Sequence, residues 1–237
     1  MARAVLLNNV EHQDLRVISA RGAEYGDQVM SVLTFPDEFR NVQADFPIVF
    51  SPSKDGRSYQ ALALFGFTEG QNLFLVDGDW QASYLPLALE RQPFLIGNAN
   101  GEPVVHIDLE HPRVSRNHGE PLFLPHGGNS EFLEHISSVL HSLHQGWQRS
   151  DEFVAALIEH ELLESFVLDV DLRDGSHNRL SGFYTINEER LQALQGSALE
   201  ALNRAGFLLP VYMALASLAN FKPMIERLQQ QTLSDGH

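Results

Sequence analysis

The sequence predicts an α+β fold: a mostly antiparallel, β-rich N-terminal half, a helical C-terminal half, and one β-hairpin inserted among the helices. Three observations carry this. Residues 1–126 hold short apolar runs separated by Gly, Asn, Asp and Pro turns, the pattern of strands joined by hairpins and longer loops. From Asn129 the period changes, with Phe132, Ile136, Val139, Leu140 and Leu143 recurring at three- and four-residue steps, as on one face of a helix. Strands and helices are segregated along the chain, which favours α+β over alternating α/β. The chain therefore reads as a β-rich portion, 1–126, and a helical portion, 127–237, carrying the hairpin 166–186, together one compact domain.

Each element has a local reason. Val29–Phe35, Phe46–Phe50, Ala61–Phe67, Asn72–Val76, Phe94–Gly97 and Val104–Asp108 are short and apolar, and are expected as strands. The turns between them are marked by Ser51–Gly56, Thr68–Gly70, Asp77–Asp79 and Asn98–Gly101. Tyr84–Arg91 is a short helical insertion, since Pro86 suits a first helical turn. The Pro-, Gly- and His-rich stretch 113–128 connects the two portions. Ser130 is placed to cap the first long helix. A second helix is expected from about Asp151, started by Ser150, with Phe153, Leu157, Ile158 and Leu162 as its apolar stripe. Phe166–Leu172 alternates as a half-buried strand, Asp174-Gly175 is a hairpin turn, and Leu180–Ile186 returns. Helices follow at Glu188–Leu194, Ser197–Arg204 and Phe207–Gln230, with Gly206 as a stop and Pro210 in a first turn. Gln229–His237 is expected as a frayed polar tail.

Composition narrows the functions. With 43% hydrophobic residues the 237-residue chain can bury a proper core. Its formal net charge of −15 repels phosphate backbones, and its only lysines are Lys54 and Lys222, so nucleic acid is not an expected partner. It contains no cysteine, which excludes disulfides, thiolate metal sites and cysteine nucleophiles. The longest apolar stretch, Phe207–Phe221, is short for a membrane span and reads as a bundled or subunit-facing helix, so membrane insertion is not expected and a homo-oligomer is allowed. The opening residues lack the apolar run and cleavage site of a secretion signal, which makes the cytoplasm the expected compartment.

Chemistry-bearing patterns are sparse. The chain has no Gly-X-Ser-X-Gly elbow, no phosphate loop and no His-Glu-X-X-His. His106-Ile-Asp108 places two metal-ligand types on one face of a strand, as in iron sites of two histidines and one carboxylate. His177 is a candidate third ligand and Arg179 a candidate for holding a keto acid. His141 and His144 share a helix face and are a further candidate metal pair, against a solvated helix face. Trp80, Tyr84, Phe94, Phe183 and Tyr184 lie beside turns, where rings with one polar end suit ligand contact, and Arg91 adds a carboxylate or ring-stacking contact. Ordinary packing at the junction of sheet and helix competes with that reading.

These stretches resemble the bacterial SapC family, named after a surface-layer-associated protein. The resemblance rests on Phe46–Phe50, Ala61–Gly66, Asn72–Phe74, Gly78-Asp79-Trp80, Tyr84-Leu85-Pro86, Arg91 and Pro93-Phe94. It continues at Ile107-Asp108, Pro112–Ser115, Gly119–Phe123, Gly182-Phe183-Tyr184, Ile186, Glu188, Leu191, Gly206, Tyr212, Ser217 and Leu218. The chain departs from the family pattern at Leu124-Pro125, where acidic residues are usual, and at Asn187, where Asp is usual. The resemblance brings no reaction with it. It implies genes encoded near tryptophan-halogenase-like flavoenzymes, cupin-like proteins and TonB-dependent receptors, hence uptake or modification of an imported compound, or an accessory role beside such an enzyme. The expected function is a non-catalytic binding or accessory protein, holding a peptide, small molecule or partner enzyme through Trp80, Tyr84, Arg91, Phe94, Phe183 and Tyr184, with no cofactor favoured. The alternative is a non-haem iron, 2-oxoglutarate-type oxygenase using Fe(II) on His106, Asp108 and His177. A third reading is a surface-layer or envelope component.

Overall fold

A computed structural model describes residues 4–172, 175 and 177–235. In chain order the elements are β1 (Ala4–Leu6), β2 (Arg16–Val17), β3 (Ser31–Leu33), α1 (Phe39–Val42), β4 (Ile48–Pro52), β5 (Tyr59–Leu64), β6 (Leu75–Val76), β7 (Asp79–Trp80), α2 (Leu87–Glu90), β8 (Phe94–Ala99), β9 (Glu102–Asp108), β10 (Val114–Ser115), β11 (Glu120–Pro121), α3 (Glu131–Glu159), β12 (Leu163–Asp171), β13 (His177–Ile186), α4 (Glu188–Ala193), α5 (Gly196–Arg204), α6 (Leu208–Ser217) and α7 (Phe221–Asp235). Strand pairing among the described residues is antiparallel and the C-terminal region is helical, so the α+β class holds.

Contacts divide the chain into two compact units, each gathered from separate stretches. The first holds Met1–Gln28, Leu75–Trp80 and Leu87–Gln145; the second holds Val29–Phe74, Gln81–Pro86 and Gly146–His237.

In the first unit, β8 and β9 form a hairpin and β1 adds to β9, while β10 and β11 flank β2. The hairpin turns on Asn100 and Gly101, with φ of 55° and 92°, the left-handed pair that a tight turn between twisted strands needs. Phe94, Ile107 and Leu122 from this layer meet Leu133, Ile136 and Leu140 of α3 in one apolar core. The cap read in the sequence is present: the Ser130 Oγ accepts from the Leu133 N–H at 3.1 Å.

The second unit is built on a five-stranded sheet in the order β12-β13-β4-β5-β3. Phenylalanines fill its interior: Phe39, Phe46, Phe50, Phe65 and Phe153 are each fully buried. Phe39 meets Phe153 edge-on at 5.8 Å between ring centroids, and Phe153 meets Phe207 at 5.4 Å. α6 docks through Ser217, whose buried Oγ accepts from the Ile48 N–H at 2.8 Å and donates to the Ala214 carbonyl at 2.6 Å.

Several boundaries differ from the sequence reading, each for a physical reason. The two helices expected either side of Ser150 are one helix of 29 residues. Ser150 does not cap a new helix; its Oγ donates back to the Gly146 carbonyl at 2.9 Å. Asn72–Val76 is a turn followed by the two-residue β6, because the Asn72 Oδ1 accepts from the Phe74 N–H at 3.0 Å. A 3₁₀ turn, Leu218–Asn220, joins α6 to α7, so the helical stretch passes Asn220 and α7 continues to Asp235 instead of fraying from Gln229. The stretch Leu208–Leu233, 26 residues, is long and apolar enough to cross a membrane by length and composition alone, a test that core helices also meet. The turn residue Asp174 lies outside the described residues.

Candidate functional site

From Gly146 onward, α3 places Trp147, Ser150, Asp151 and Val154 on one face, since residues three, four and seven apart stack along a helix. That face borders the end of β3 and β5. Together with Thr34, Tyr59, Ala61 and Phe153, these residues line a cavity of about 210 Å³ within the second unit. Pockets for drug-sized ligands run to about 300–1,000 Å³, so this cavity suits a fragment-sized molecule.

Gly146 is what lets the helix approach. A Cβ built there would sit 2.2 Å from the Phe35 Cδ2, and Phe35 itself is buried. A glycine in a helix interior costs about 1 kcal/mol against alanine; here it permits contact with an aromatic ring. The next residue, Trp147, is half-buried, and its Nε1 is buried without a hydrogen-bond partner among the described residues. An orphaned buried donor costs about 1–3 kcal/mol, so it marks a place where an acceptor is wanted.

The rest of the lining is held firmly. Tyr59 meets Tyr184 edge-on at 4.8 Å between centroids. Burial, reinforced by the neighbouring Tyr184, pushes the Tyr59 phenol above its ordinary range, so it keeps its proton at neutral pH. The Thr34 Oγ1 donates to the Glu38 Oε2 at 2.7 Å, and the Tyr84 hydroxyl donates to the other carboxylate oxygen at 3.0 Å. Asp151, exposed on α3, is the one formally charged side chain lining the cavity. Such a site has the parts to bind: apolar and aromatic walls, one orphaned donor and one carboxylate.

The six residues expected to form an aromatic surface are distributed differently. Tyr184 backs the cavity through Tyr59, and Tyr84 does so through Glu38 and Thr34. Phe183 lies half-buried on β13 opposite Phe166 of β12. Trp80, Arg91 and Phe94 belong to the first unit. Trp80 is half-buried on β7, opposite Leu75. Phe94 is fully buried and packs on Phe132 at 6.2 Å, so it is a core residue and not a contact surface; it begins β8 on the strand's inward face. Arg91 donates to the Phe94 carbonyl at 2.6 Å, and desolvation lowers its guanidinium pKa.

The residues considered as iron ligands have other engagements. His106 on β9 sits over Gly97, where an added Cβ would meet its ring at 2.5 Å. The Asp108 Oδ1 accepts from the Glu110 N–H at 3.1 Å. His177 belongs to the second unit, where its Nδ1 lies 2.6 Å from the Asp171 Oδ1 with both side chains exposed, and Arg179 faces Asp169 at 3.6 Å. Among the described residues no group of three or more His, Asp or Glu side chains is arranged to hold a metal ion. His141 and His144 line a second cavity of about 200 Å³ in the first unit, beside Ile96, Val105 and Leu140.

Sequence reasoning missed Trp147, Tyr59 and Asp151, and also a buried ion pair. In the first unit the Arg113 Nη2 meets the Asp27 Oδ2 at 2.6 Å, both side chains being fully buried. Arg113 also donates to the Ile18 and Ala20 carbonyls at 2.8 and 2.5 Å, and the Gly22 N–H donates to Asp27 at 2.9 Å. The Arg113 backbone N–H donates to the His111 Nδ1 at 3.2 Å. Burial first, then the Arg113 charge, pushes the His111 imidazole pKa down. This network ties the loop before β3 to the loop before β10, a structural task. Asn187 has one too: its Oδ1 accepts from the Arg190 N–H at 2.8 Å, capping α4 as Asp would, while its Nδ2 donates to Glu164 at 2.9 Å.

A family model described as SapC matches residues 7–224, nearly the whole chain. No curated protein and no solved structure matches it.

Proposed function

This chain belongs to the SapC family, and on that premise we propose that it is a non-catalytic binding protein, taking a small molecule into the second-unit cavity between Trp147 and Tyr59. The observation that carries the reading is an aromatic cavity lined by Trp147 and Tyr59, with the indole Nε1 of Trp147 buried and without a hydrogen-bond partner among the described residues. A bound acceptor relieves its desolvation, and the surrounding rings supply apolar contact at little entropic cost. Tyr184, and through Glu38 also Tyr84, act here by fixing the lining. The proposal places the protein in the cytoplasm as an accessory to a partner enzyme that uses or releases the ligand.

The test uses the chain's two tryptophans, Trp80 and Trp147. A Trp80→Phe variant leaves Trp147 as sole emitter, and a library of fragment-sized molecules is titrated against it. Saturable shifts in emission are the expected result, with the same fragments binding Trp147→Phe about tenfold more weakly by calorimetry, a method that does not need the indole. If no fragment moves Trp147 emission, the reading is wrong.

A further inference from the structure

The lining of the second-unit cavity specifies more than a small ligand. Its walls are mainly apolar and aromatic, with Tyr59, Trp147 and Phe153 contributing rings. Its one formal charge is the Asp151 carboxylate, and no lysine, arginine or histidine lines it. Arg149, the nearest cation in sequence, is committed elsewhere in the same unit: it pairs with Asp37 at 3.1 Å, donates to the Ala205 carbonyl at 3.2 Å and lies over the Phe207 ring at 5.9 Å. Among the described residues Asp151 has no ion-pair partner. Tyr59 stays protonated at neutral pH, so its ring contributes a neutral face.

We propose that this cavity selects a small organic ammonium: a protonated amine carrying an apolar body, held by aromatic rings and by the Asp151 carboxylate. The physical basis is twofold. Aromatic rings attract a cation through their quadrupole, an attraction that strengthens as the cation is desolvated. The exposed Asp151 carboxylate at the cavity's edge adds solvent-screened charge pairing and disfavours anions. The protein's net charge of −15 works in the same direction over longer range, raising the local concentration of cations. This inference rests on the binding reading above and adds the sign of the ligand's charge.

Three probes of similar size decide it: benzylammonium, benzyl alcohol and benzoate, titrated at neutral pH into the Trp80→Phe protein and its Asp151→Asn derivative. The expected order is benzylammonium, then benzyl alcohol, with benzoate weakest. Asp151→Asn weakens benzylammonium by about fivefold and leaves benzyl alcohol within about twofold. Added salt weakens the cation alone. Asp151 is exposed on a helix, so the variant is expected to fold; an unchanged melting temperature checks it. If benzyl alcohol binds as well as benzylammonium and Asp151→Asn changes neither, the ammonium assignment is overturned while the cavity remains a binding site. If benzylammonium fails and other library fragments move Trp147 emission, the assignment is likewise overturned. If nothing moves that emission, both readings fall.

Discussion

Replacing Gly146 by alanine sets two effects of opposite sign against each other. By helix propensity alone, alanine at an interior position of α3 stabilises by about 1 kcal/mol. The structure predicts the reverse. The new Cβ would lie 2.2 Å from Cδ2 and 2.4 Å from Cε2 of Phe35, a buried ring that has little room to retreat. Forcing a methyl into a packed core costs about 1–3 kcal/mol, so the upper part of that range leaves a net destabilisation of about 1–2 kcal/mol. The helix must also lift from β3 and β5, which alters the cavity at its Trp147 wall. Urea denaturation measures the stability, with Phe35→Leu and the double variant completing a thermodynamic cycle. A favourable coupling is expected, because the smaller, flexible leucine yields space to the methyl. If Gly146→Ala stabilises the protein on its own, propensity has won, and the close approach of α3 to Phe35 would be refuted.

Three further outcomes follow from other parts of the molecule. Arg113→Met removes the closer of the two arginines that meet the buried Asp27, leaving Arg21 at 3.4 Å, and should lower stability by about 3 kcal/mol in urea denaturation; Arg113→Lys should recover little of it, since one ammonium cannot reproduce a fork that meets Asp27 and two carbonyls. The imidazole of His111 has a folded pKa below its ordinary value near 6.5, so the unfolded chain binds the proton more readily. Its contribution is present above the unfolded pKa and is lost as pH falls through that value towards the folded one; stability measured between pH 7 and 5 should decline, and His111→Gln should flatten part of that slope. Trp147→Phe keeps a ring and removes the donor, so a fragment that accepts from the indole should bind about tenfold more weakly, near 1.4 kcal/mol, as measured by calorimetry.

The sequence was legible where a local signal sets a local structure. Asn100-Gly101 announces its hairpin, Ser130 its cap, and the alternation before Asp171 its strand, because each is decided by residues within a few positions. It misled where a local signal serves a distant contact. Ser150 resembles the start of a second helix, yet it satisfies a carbonyl of the one helix it belongs to, and Gly146, a turn earlier, admits Phe35 from far away in the chain. Phe94 reads as a contact ring because it lies beside a turn, but it faces the core. The candidate site was hardest to read. Its lining is drawn from β3, β5 and α3, and the Asp27–Arg113 pair spans 86 residues; no spacing rule joins such positions. Strands of two residues, such as β2, β10 and β11, are too short to show a period.

The most direct measurement is the indole N–H resonance of Trp147, recorded by ¹⁵N-correlated NMR in the Trp80→Phe protein, where one indole signal remains. Titration with benzyl alcohol, whose hydroxyl oxygen can accept from the indole, is predicted to move that signal downfield to a plateau, together with the backbone amides of Thr34 and Tyr59. A resonance that stays in place throughout, for this and every other fragment tried, would contradict the claim that Trp147 stands at a ligand site.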